Sequence, residues 1–129
     1  MTNNANKKRN DRKNSWEKES KEGSNKFMDM KQVDHESIEV IKKFMERYVK
    51  DITTSQLRNI YSVILDSQLG NPSKRVKIAY IAARNNKNGI QILLKKLDKL
   101  LAENGDYETI RNFTEACVAY HKYYETLKK

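Results

Sequence analysis

Four glycines and one proline are all that interrupt 129 residues. Helix interiors exclude both types: glycine through its backbone entropy, proline through its missing N–H and its ring. Ordinary usage is about 7% glycine and about 5% proline, so this chain is composed for helices. No apolar–polar alternation marks a strand, and there is no βαβ pattern or internal repeat. The expected fold class is all-α, a compact five-helix bundle.

The positions of the breakers and caps place the five helices. The first runs near 35–50, with Ile38, Ile41, Met45, Tyr48 and Ile52 on one stripe and Asp34 as its N-cap. The second opens at Thr53, where Gln56 three residues later completes a capping box; Leu57, Ile60, Tyr61 and Ile64 form its inner face. Gly70-Asn71-Pro72 ends it. Asn71 is expected to cap a third helix over 72–86, with Pro72 at its first position. That helix is apolar nearly all round. Val76, Ala79, Tyr80 and Ala83 are taken as its core face, and Ile78, Ile81 and Ala82 as a side left for a partner. The fourth, over 89–103, turns Ile90, Leu93, Leu94, Leu97 and Leu101 inward and Lys95, Lys96 and Lys99 outward to solvent. Asn104-Gly105 ends it, with Gly105 suited to a left-handed C′ position. Asp106 caps the last helix, which carries Ile110, Phe113, Cys117, Tyr120 and Tyr124 to about residue 126.

Charge divides the chain in two. Residues 1–32 hold nine basic and five acidic side chains, six asparagines and almost nothing apolar before Phe27. Such a segment cannot bury enough surface to offset its ordering entropy, so 1–32 is expected to be a disordered basic tail in which Trp16 is incidental. Residues 33–129 form the helical domain and remain basic, with 17 cationic and 12 anionic residues. A formal net charge of +9 raises the local concentration of polyanions, nucleic acid first among them. No run approaches the ~18 apolar residues of a membrane span, and no apolar segment in the first thirty residues resembles a secretory signal. One cysteine allows no internal disulfide and fits a reducing, cytoplasmic setting.

Nothing in the sequence supports catalysis, a metal or a cofactor. The phosphate-cradling glycine loop, H-E-x-x-H, C-x-x-C and G-x-S-x-G are all missing. Cys117 and His121 lie one turn apart, but mid-stripe among aromatics they read as a core thiol beside a half-buried imidazole. A nucleophilic thiolate needs an electropositive, partly open setting. His35 reads as a surface residue at a helix start.

Helical spacing locates the cations. Lys77 and Arg84 are seven apart, within about 20° of each other, at the rim of their helix, with Lys74 near the same side. Arg58 takes the corresponding rim of the second helix, and Arg111 and Lys122 line up on the last. Rim cations bury their stems and present their heads outward. Heads converging from three helices would form one groove for a phosphate backbone. Ordinary surface pairing with Asp66, Glu103 or Asp106 is the competing account.

Three runs occur in this order: Thr53-Thr54-Ser55-Gln56-Leu57-Arg58; Val76 to Arg84, with Tyr80-Ile81-Ala82-Ala83-Arg84 at its end; and Phe113 to Tyr124, with Glu115-Ala116-Cys117-Val118-Ala119-Tyr120-His121-Lys122-Tyr123-Tyr124. Over about residues 51–125 the chain resembles the small helical subunit of the type III-A (Csm) CRISPR effector complex. Ala83 departs from that pattern, which usually has glycine there. The resemblance implies a compact five-helix bundle without nuclease activity. It implies copies stacked head to tail beside the large multidomain subunit and the backbone subunits. These copies would line the channel for the crRNA–target RNA duplex, contacting its backbone without reading sequence. Arg58, Lys77, Arg84 and Lys122 fall on motif positions. Lys74, Arg75 and Arg111 enter the candidate RNA-binding set on charge geometry alone, Arg75 from a different side of its helix. A small helix-turn-helix-like DNA-binding regulator is the alternative, against which stands the apolar outside of the third helix.

Overall fold

The computed structural model describes residues 26–103 and 105–127. Their regular elements are helical: α1 (His35–Tyr48), a 3₁₀ turn (Val49–Asp51), α2 (Thr54–Leu65), α3 (Asn71–Arg84), α4 (Asn88–Ala102) and α5 (Tyr107–Leu127). Among the described residues there is no strand. Caps set most of the starts. The Asp34 carboxylate accepts from the Ser37 N–H at 2.8 Å, which also holds its pKa below the usual range. Thr53 and Gln56 close the capping box, Gln56 N–H onto Thr53 Oγ1 at 3.0 Å and Thr53 N–H onto Gln56 Oε1 at 2.8 Å. Asp106 accepts from the Thr109 N–H at 2.7 Å and starts α5. At the start of α4 the cap is tertiary: the Asp51 carboxylate accepts from the Gly89 N–H at 3.0 Å.

The helices pack in the order α4–α3–α2–α5–α1, and the 3₁₀ turn and α1 meet α4 to close the ring. Ile41, Met45, Leu57, Ile60, Ile64, Ile90, Leu93, Leu97, Ile110 and Phe113 fill the centre. Gly89 sits where α4 crosses the end of α1. A Cβ there would lie 2.7 Å from Tyr48 Cβ and 2.8 Å from Asp51 Cβ.

Several expectations are corrected. Residues 1–25, and Trp16 with them, lie outside the described residues, but the last part of the expected tail belongs to the fold. Residues 26–29 are helical. Phe27 is fully buried, stacked on Phe44 at 4.0 Å between ring centroids and tilted against Phe113 at 5.5 Å. Met30 is buried too. Three apolar residues within four positions (Phe27, Met28, Met30) suffice to dock this segment, although its surroundings are polar.

That segment lies over the lysine face of α4 which was expected to meet solvent. Lys96 is only 1% exposed. Its ammonium donates to the Met28 carbonyl at 2.7 Å and to the Met30 carbonyl. Burial, with Lys99 nearby, pulls its pKa down to about 8. Lys99 reaches the Asp29 carboxylate at 3.6 Å and the Met28 carbonyl at 3.3 Å. Lys95 alone of the three is exposed.

The orientation of α3 is the reverse of the one expected. Ile78 and Ile81 are buried, while Val76 is 59% and Tyr80 66% exposed. Lys74 decides the rotation. Its side chain is buried and its Nζ donates to the Ile64 carbonyl at 2.8 Å, one of the unpaired carbonyls in the last turn of α2, where a cation also meets the negative end of the helix dipole. Gly70, not Asn71, holds the N-cap position of α3; Asn71 is its first residue and donates from its side chain to the Leu101 carbonyl at 3.3 Å. Gly105 does not adopt a left-handed conformation. A Cβ there would lie 2.9 Å from the Leu100 carbonyl oxygen, which accepts the Gly105 N–H at 2.9 Å.

Candidate nucleic-acid interface

The cations of the candidate set fall into four situations. Lys74 is committed inside, with its ammonium also 5.0 Å from the Tyr107 ring centroid. Arg75 is exposed but held by Asp98, Nε to Oδ1 at 2.8 Å and Nη2 to Oδ2 at 3.4 Å. That two-point contact raises its pKa and gives the guanidinium a carboxylate in place of a phosphate. Neither contributes an available charge.

Lys77 and Arg84 are brought together. A hollow of about 410 Å³ lies between α2 and α3, with Ser55, Asn59 and Val63 on one wall and Lys77, Tyr80 and Arg84 on the other. Both cations are exposed, and neither meets a carboxylate among the described residues. Rotation of α3 leaves them at the rim. They sit near the boundary of its two apolar faces, so either face could turn inward without moving them out of the edge. The end of α3 is fixed by side chains rather than by a following turn. Asn85 donates to the Ile81 carbonyl at 2.7 Å, Gln91 to the carbonyls of Ala82 (2.6 Å) and Asn85, and Gln56 reaches across from α2 to Asn85. These hydrogen bonds tie α2, α3 and α4 together at one end of the hollow.

Arg58 does not join this hollow. It is exposed and free of carboxylates among the described residues, but along α2 it is roughly 140–160° from Gln56 and Val63, which face α3. It lies on the shoulder toward α5. The α2–α5 seam is antiparallel: Thr54 Oγ1 donates to Glu125 Oε2 at 3.1 Å at one end, and Tyr107 Oη reaches the Leu65 carbonyl at 3.5 Å at the other. Lys122 and Arg111 sit on the α5 side of this seam with Val118. Lys122 is exposed, 3.9 Å from Glu125. Arg111 is half-buried, and its Nε has no hydrogen-bond partner among the described residues. The expected single groove is thus two tracks flanking the exposed ridge of α2: Lys77 and Arg84 on one side, Arg58 and Lys122 on the other, with the middle helix carrying Ser55, Asn59 and Ser62 between them.

Tyr80 is the residue that sequence reasoning assigned elsewhere. Counted as core, it stands exposed in the α2–α3 hollow. Its spacing from Lys77 (three) and Arg84 (four) was the available signal, since residues at those separations are surface neighbours on a helix.

Neither Cys117 nor His121 is set up as a nucleophile or its base. Cys117 is fully buried and burial pushes its thiol pKa up, away from the thiolate a nucleophile requires. His121 is buried with Nε2 2.6 Å from the Ile52 carbonyl; a carbonyl only accepts, so Nε2 carries the proton and the ring serves to tie α5 to the entrance of α2. Among the described residues no group of three His, Cys, Asp or Glu is placed to hold a metal, and no helix is long and apolar enough to cross a membrane.

The family model Csm2 Type III-A matches residues 28–127. The chain belongs to that family. As a Csm2-family chain it is a small subunit of the type III-A CRISPR Csm complex, a structural component that works among other subunits. The match begins at Met28, inside the docked segment over α4, and takes in all five helices, extending the resemblance from residue 51 back to residue 28. No curated protein and no solved structure matches the Csm2-family chain.

Proposed function

We propose that this subunit is a non-catalytic liner of the crRNA–target RNA channel, holding RNA backbone without sequence specificity in support of antiviral and plasmid defence. The observation that carries the reading is the open pair Lys77 and Arg84, unmatched by carboxylate among the described residues, with Arg58 on the parallel track. Guide–target pairing supplies specificity in RNA-guided recognition, so the protein need only favour the backbone. Cations on rigid helices give positioning contacts, and each neutralised phosphate releases counterions. The cytoplasm, where such complexes meet RNA, is the compartment this reading requires.

Copies of the chain stack head to tail. Exposed apolar side chains on two different helices support such a contact: Val76 on α3, and Tyr123 and Leu127 at the end of α5. A heterologous contact between unlike patches propagates as a filament when it does not close. The test is target-RNA capture by the assembled Csm complex carrying Arg84→Ala or Arg58→Ala. Both variants keep their helicity and capture less target RNA; unchanged capture by both rejects the site.

A further inference from the structure

The α2–α3 hollow is poorly described as a plain phosphate contact. It holds an aromatic ring, 66% exposed, between two free cations on the same helix. On a continuous duplex, whose bases are stacked inside, a tyrosine can meet the backbone only through its hydroxyl, and its ring face is left without a partner. A groove that combines cations with an exposed aromatic is suited to an unpaired nucleotide: the phosphates meet the charges and the base meets the ring. Across from Tyr80, Asn59 is exposed and its carboxamide has no hydrogen-bond partner among the described residues. It can meet a base edge, while Gln56 and Asn85 are occupied with each other.

We propose that the α2–α3 hollow seats one unpaired RNA nucleotide, its base stacked on Tyr80, its flanking phosphates on Lys77 and Arg84, and its edge facing Asn59. This rests on the RNA-binding reading above and narrows it: the Lys77–Arg84 track prefers single-stranded or locally unpaired RNA, whereas Arg58 and Lys122 contact backbone of either kind.

The experiment uses the full chain and two RNA probes of one sequence. One is a single-stranded oligonucleotide with an internal 2-aminopurine; the other is the same strand fully paired to its complement. Affinity is read by anisotropy and stacking by quenching of the 2-aminopurine. Tyr80→Leu is expected to lose the quenching and to weaken single-strand binding about 5- to 150-fold, a base–aromatic stack being worth about 1–3 kcal/mol. It leaves duplex binding within twofold, and Tyr80→Phe retains the single-strand affinity. Tyr80 is exposed, so unchanged thermal unfolding accompanies both variants. Equal loss on both probes, or no loss on either, overturns the stacking role while leaving the RNA-binding reading intact. Failure of the native chain to bind either probe overturns both. Normal single-strand binding by Tyr80→Leu, together with failed assembly of the RNA-free complex, overturns it in favour of a protein contact.

Discussion

Replacing Phe27 with alanine tests whether a segment that reads as tail is part of the core. Its ring is fully buried, face to face with Phe44 at 4.0 Å and 7° between planes, and in contact with Phe113. Phe→Ala at such a site costs about 3–5 kcal/mol. Because the segment enters from the edge of the bundle, part of the space can collapse, and the lower end, about 3 kcal/mol, is expected. Domains of this size are stable by about 5–15 kcal/mol. At about 4–8 °C per kcal/mol for a small domain, Tm should fall by roughly 12–24 °C. The assay is urea unfolding of the full chain followed by circular dichroism, with the midpoint lowered and the slope unchanged. Phe27→Leu should recover most of the loss. A cost below about 1 kcal/mol for Phe27→Ala would mean that residues 26–30 do not close the core in solution.

Gly89→Ala places a methyl group against Tyr48 Cβ and Asp51 Cβ, atoms close to the backbone that cannot swing away; a loss of about 1–3 kcal/mol in urea unfolding is expected, and a neutral result refutes the close crossing of α1 and α4. Thr53→Ala removes half of the capping box of α2 and should cost about 1 kcal/mol, read as a lower Tm. Lys96 gives a pH prediction. Its folded pKa lies near 8 against an ordinary 10.5, so between those values the unfolded chain binds the extra proton and stability rises with pH. Native protein should therefore gain on Lys96→Met from pH 8 to pH 10, on the order of 1 kcal/mol once solvent screening is allowed for; a constant difference across that range contradicts the burial of the ammonium.

Local signals carried most of the architecture. Asp34, Thr53, Gln56 and Asp106 act within four residues of themselves, so their caps were legible, as were the stripes of α1, α2, α4 and α5. What escaped depends on distant partners. Lys74 and Lys96 read as surface because nothing local reveals that Ile64, Met28 and Met30 offer them carbonyls. The rotation of α3 could not be read from periodicity, because its two faces are equally apolar and nothing local shows that Lys74 is buried on one of them. Lys77 and Arg84 survived that error through their place between the faces, while Arg58 shows its limit: spacing fixes a residue's side of its own helix and says nothing of which neighbour lies there. Arg75 illustrates the same limit, since its partner Asp98 is on another helix.

The salt dependence of RNA binding tests the central claim most directly. The dissociation constant of the full chain for a single-stranded RNA is measured from low to moderate potassium chloride, for the native protein and for Lys77→Ala/Arg84→Ala. Each phosphate contact contributes about 0.7 to the slope of log affinity on log salt for single strands. The double variant should bind more weakly at every salt concentration and show a slope shallower by about 1.4. An unchanged slope would place the phosphate contacts elsewhere and contradict the account.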